Sequence, residues 1–120
     1  MDTLQFLAIV LLTAPFWISA ILKGLDLAGA TQEVAALGLP QPRLLALATI
    51  AVQALGSLSL ILGVLPGLGA IALAGFTLLA SILGHAFWRA APGQRLHAAN
   101  AFLANFGLIG GLMLAARLGS

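Results

Sequence analysis

The chain has 120 residues, of which 62% are apolar and 7% charged, with a formal net charge of +2 and a mean hydropathy of +1.14. Eight charges, set almost entirely at the edges of four apolar stretches, cannot cover a water-soluble globule of this size, which excludes an ordinary soluble domain and points to lipid as the solvent. The pI of about 10.7 does not indicate nucleic acid, because the five basic residues form no cluster, and the absence of cysteine excludes disulfides, thiolate catalysis and thiolate metal sites.

Four apolar runs, each long enough for one crossing, predict an all-α membrane protein: a single four-helix domain over residues 1–120. The first span covers Leu4 to Leu22. It has no basic leader and is too long for a signal-peptide core, so it is expected to be a retained helix. Pro15 falls inside it and predicts a kink, and Trp17 is expected to pack rather than anchor at the interface. Lys23 to Pro42 is the most polar stretch. Within it, Ala30 to Leu37 predicts two turns of helix, with Thr31 near the start, Gly38 as the stop, and Leu27, Val34, Leu37 and Leu39 as an apolar face. That composition fits a short interfacial helix on the membrane surface.

The second span is expected from Arg43 to Leu65, with Pro66-Gly67 as a tight turn into the third, which runs from 67 to Trp88. So short a connection makes these two spans antiparallel neighbours. Arg89 to Leu96 reads as a basic loop around Pro92-Gly93, and the fourth span follows from His97 or Ala98 to Ala116. Lys23, Arg43, Arg89 and Arg95 share the side of the two longer connections. The positive-inside rule then puts those connections in the cytoplasm and both termini outside. Gly107 and Gly111 form a G-x-x-x-G pair, expected to pack the bundle internally, with homo-oligomer formation as the alternative.

Polar groups are costly inside lipid. Gln53 lies ten residues after Arg43, about 15 Å along the helix and near the midplane. Lys23, His85 and Asn100 fall toward the basic connections, with Gln53 and Asn105 deeper. Together these five residues are candidates for a polar half-pocket opening to that side, suited to a lipid or quinone. The plainer alternatives are interhelical hydrogen bonds for Gln53 and Asn105, an interfacial place for His85, and snorkelling for Lys23 and Arg43. His97 is expected to be incidental. No catalytic triad, phosphate loop or metal-ligand set is visible, and nothing in the spacing requires a heme at His85, so no independent catalytic activity is expected.

The segments ISAILKGLDL (Ile18–Leu27), VAALGLPQP (Val34–Pro42), AVQALGSLSLILG (Ala51–Gly63), His85 and NFGLIGGLML (Asn105–Leu114) resemble, in this order, those of DoxX-like membrane proteins. Gln53 stands where that family usually has a glutamate, so proton or redox chemistry resting on a carboxylate there is not carried over. The resemblance implies a four-helix bundle of the bacterial inner membrane. It also implies an accessory role in quinone-linked redox systems, with a membrane or peripheral redox protein as partner. A non-catalytic binding or assembly role is the alternative. A small multidrug-type transporter would need a membrane-buried carboxylate, and Asp2, Asp26 and Glu33 all lie outside the apolar runs.

Overall fold

The computed structural model describes residues 2–84 and 92–119, and every regular element among them is an α-helix. Helix α1 spans Thr3–Leu25. Asp2 starts it with a capping box: its carboxylate accepts from the Gln5 N–H at 2.8 Å, and the Gln5 side chain accepts from the Asp2 N–H at 3.2 Å. Pro15 is accommodated inside α1. Just past it, the half-buried Trp17 reaches back and donates its indole N–H to the Val10 carbonyl at 3.2 Å. Trp17 therefore packs and also ties down backbone near the proline.

Asp26 ends α1 and begins α2, Leu27–Ala36. Its N–H donates to the Leu22 carbonyl at 3.1 Å, and its carboxylate accepts from the Gly29 N–H at 3.0 Å. This shared cap places the start of α2 three residues ahead of the expected Ala30, because an aspartate that caps a helix outweighs the low helix propensity of Gly29. Gly38, at φ +78°, terminates it as expected.

Helix α3 covers Pro42–Leu62 and α4 covers Pro66–Gly84. The expected turn at Pro66-Gly67 is displaced. Gly63, at φ +71°, caps α3, and Pro66 is already helical, where its missing N–H costs nothing. The Ser59 hydroxyl binds this turn through the carbonyls of Val64 at 2.5 Å and Leu65 at 2.9 Å. Gln41 and Leu65, each preceding a helix-opening proline, both take the left-handed conformation at φ +49°. Helix α5 covers Arg95–Gly119 and so starts ahead of His97.

Helix α1 packs against α3, α3 against α4, and α4 against α5, while α5 meets α1 more lightly and α2 lies along α3. Ile9, Phe16, Leu60, Leu73, Leu112 and Ala115 form the shared core. Small residues set the close approaches. A Cβ at Gly56 would lie 2.7 Å from Leu73 of α4, and one at Gly111 2.8 Å from Leu12 of α1. Gly111 thus serves internal packing, whereas Gly107 and Gly110 face open space.

The four long helices are each apolar enough to cross a membrane, and no more than 28% of any span is buried inside the bundle. Leu4, Leu11, Leu25, Ile71 and Met113 stand on the outside. A surface this apolar is stable only against lipid.

Candidate functional site

A cleft of about 390 Å³ opens between α2, α3 and α4. Its walls come from Leu45 and Val52 of α3, Phe76, Leu79 and Leu83 of α4, and Val34 of α2, with Leu37 and Leu39 just beyond α2. Three of the four residues expected to form the apolar face of the short helix, Val34, Leu37 and Leu39, therefore line this cavity. Lys23 reaches it from the last turn of α1, and Glu33 from α2. The Lys23 ammonium sits 5.9 Å from the centroid of the Phe76 ring, a cation–π distance. It also lies at the negative end of the α1 dipole and within the field of Glu33. The result is an apolar slot with one cation and one carboxylate at its polar end.

A second, larger crevice of about 530 Å³ follows the α3–α4 hairpin, past Leu55, Leu58, Leu62 and Leu68. Among the described residues no ionisable side chain lines it, so its walls give little to orient a head group.

The other described candidates lie elsewhere. Gln53 is 4% exposed and faces the bundle interior, one turn beyond Thr49, which does line the cleft. Asn105 donates its side-chain N–H to the Ser81 hydroxyl at 2.7 Å, joining α5 to α4, and Ser81 in turn donates to the Thr77 carbonyl at 2.8 Å. Asn100 and His97 are exposed on α5. His85 lies outside the described residues, as do Trp88 and Arg89. Among the described candidates, Lys23 is thus the one that lines the cleft. Glu33 and Ser57 are additions, the first facing the cleft and the second buried one turn from Gln53. The i, i+4 spacing of Gln53 and Ser57 was a usable signal in the sequence. Glu33 gave none, because its approach to Lys23 depends on the bend at Asp26.

Among the described residues no group of three or more His, Cys, Asp or Glu side chains converges as a metal site. The arrangement can bind and orient an amphipathic molecule. Lys23 can donate hydrogen bonds to a carbonyl or phosphate oxygen, and Glu33 can accept from a hydroxyl or ammonium group.

No curated protein and no solved structure gives a match to the chain. The DoxX family model matches residues 5–86, from α1 through α4, and stops before α5. With more than half its length matched and four helices able to span a bilayer, the chain belongs to the DoxX family and is an integral membrane protein.

Proposed function

We propose that this protein is a non-catalytic accessory subunit of a membrane redox system that holds a quinone or a lipid in the α2–α3–α4 cleft. One observation carries the ligand class: an apolar slot of about 390 Å³ that ends at Lys23 and Glu33. Its volume lies within the usual range for small-molecule sites, roughly 300–1,000 Å³. One positive and one negative side chain at the same end nearly cancel. That favours a neutral or zwitterionic head over a strongly anionic one. A quinone fits through its carbonyl oxygens, and a zwitterionic phospholipid through its phosphate on Lys23 and its ammonium on Glu33. Membership of the DoxX family supports the redox association, and the cleft supports the binding role.

The orientation belongs to the same proposal. Lys23, Arg43 and Arg95 lie at one end of the helices, and cytoplasmic placement of that end follows from the positive-inside rule. The cleft then opens to the cytoplasmic leaflet.

The test is purification in mild detergent, followed by solvent extraction and mass spectrometry of what remains bound. The wild type should retain close to one quinone or one lipid of a single head-group class per chain. Lys23→Met should lose most of it. A retained quinone identifies the redox ligand, and a retained lipid identifies a lipid-holding subunit. Recovery from both proteins of only bulk lipid in membrane proportions, or of no ligand beside a co-purifying protein, would overturn the cleft reading and favour an assembly role.

A further inference from the structure

The bundle interior holds a polar pair that the cleft does not use. Four hydroxyl side chains are buried among the described residues: Thr13, Ser57, Thr77 and Ser81. Three of them spend their hydrogen on the carbonyl four residues back. Thr13 donates to Ile9 at 2.7 Å, Thr77 to Leu73 at 2.7 Å and Ser81 to Thr77 at 2.8 Å. This is the usual way for a helix in lipid to hide a hydroxyl. Ser57 departs from it: its Oγ is buried without a partner. One turn earlier on the same face, Gln53 Oε1 is buried and unpartnered as well. Two adjacent orphaned groups in a bundle surrounded by lipid are expensive, because no bulk water reaches them. Their placement is not peripheral. Thr13, Gln53, Thr77 and Asn105 each lie near the middle of their helices, so the pair belongs to a polar layer halfway across the bundle.

We propose that Gln53 and Ser57 form an internal binding site for one small hydroxyl group, supplied by a water molecule or by the O–H of a bound amphiphile. Gln53 Oε1 accepts a hydrogen bond from the guest hydroxyl. The Ser57 hydroxyl donates to the same guest oxygen and so completes a bridge between successive turns of α3. The guest is an O–H group because it must act as donor and acceptor at once. A quinone, which has no donor, cannot serve; its two-electron-reduced quinol can. The site does not rest on the cleft reading, since neither Gln53 nor Ser57 lines the cleft, and Lys23→Met should leave it intact if the guest is water.

The experiment uses the full chain in nanodiscs of chain-deuterated lipid and records proton–proton cross-relaxation from the Gln53 side-chain amide. A cross-peak to water supports the site with water as guest. A cross-peak to protons of a co-purified molecule supports it with an amphiphile hydroxyl as guest. No cross-peak to either overturns it. A double-mutant cycle gives an independent readout. Gln53→Met and Ser57→Ala should each lower the unfolding midpoint by several degrees, and the double variant should fall no further than the worse single one, since either change breaks the bridge through the guest. Unchanged or raised midpoints, or losses that add, would refute the proposal, because removal of orphaned groups that hold nothing is neutral or stabilising.

Discussion

Gly56→Ala tests the close approach that positions α3 against α4. The added Cβ would lie 2.7 Å from Leu73 Cγ and 2.9 Å from its Cδ2, well inside the roughly 3.5–4.0 Å of ordinary carbon contact. Leu73 is 0% exposed and lies in the shared core, so it has no open space into which to withdraw. Overpacking of this kind costs about 1–3 kcal/mol. Alanine also gains about 0.5–1 kcal/mol over glycine within a helix, which would mask part of the loss. Gly75→Ala supplies the control: Gly75 lies in α4 with nothing near its missing Cβ, so that variant has the propensity gain alone. In mild detergent titrated with SDS and followed by circular dichroism, Gly56→Ala should be less stable than Gly75→Ala by about 1–3 kcal/mol, where each 1.4 kcal/mol is about tenfold in the folded population. In a Leu73→Ala background the Gly56→Ala penalty should disappear. Equal stability of the two alanine variants would refute the packing account.

Asn105→Ala should cost about 0.6 kcal/mol, and no more than about 1.7, by removing the hydrogen bond to Ser81; the same denaturation assay measures it, and Ser81→Ala should add little in that background. Gln41→Asn should raise the thermal midpoint slightly, because asparagine tolerates the left-handed backbone that glutamine adopts there at a cost of about 1 kcal/mol or more; an unchanged or lower midpoint counts against strain at that position. The natural chain has no cysteine, so single-cysteine variants report orientation without background. In intact cells Leu118→Cys should react with a membrane-impermeant maleimide and Gln94→Cys should not, and the reverse pattern would invert the proposed orientation.

The sequence reveals the spans clearly because lipid demands the same thing of all of them: a long apolar run with charges held to its ends. Lys23, Arg43 and Arg117 mark such ends and sit there in the structure. Connections are harder to read, since one residue can serve two helices. Asp26 closes α1 and opens α2, while Gly24 and Gly29 around it look like interruptions. Pro66 looks like a turn residue and is instead the first residue of a helix, because glycine three positions earlier has already ended the previous one. The site was legible only in part. A buried asparagine predicts a partner, but its distance of 24 residues from Ser81 carries no periodic signal. Lys23 and Glu33 approach one cleft only because α2 folds back along α3 at the Asp26 bend, a tertiary event that no local pattern encodes.

The cleft reading can be tested most directly by photolabelling with a diazirine-bearing quinone or zwitterionic phospholipid in native membranes, with the labelled residues mapped by mass spectrometry. The account predicts labels concentrated on Val34, Leu45, Phe76 and Leu83, from three different helices, and lost when unlabelled ligand competes. Labels spread evenly over Leu4, Leu11, Ile71 and Met113 on the outer surface, and insensitive to competition, would contradict it.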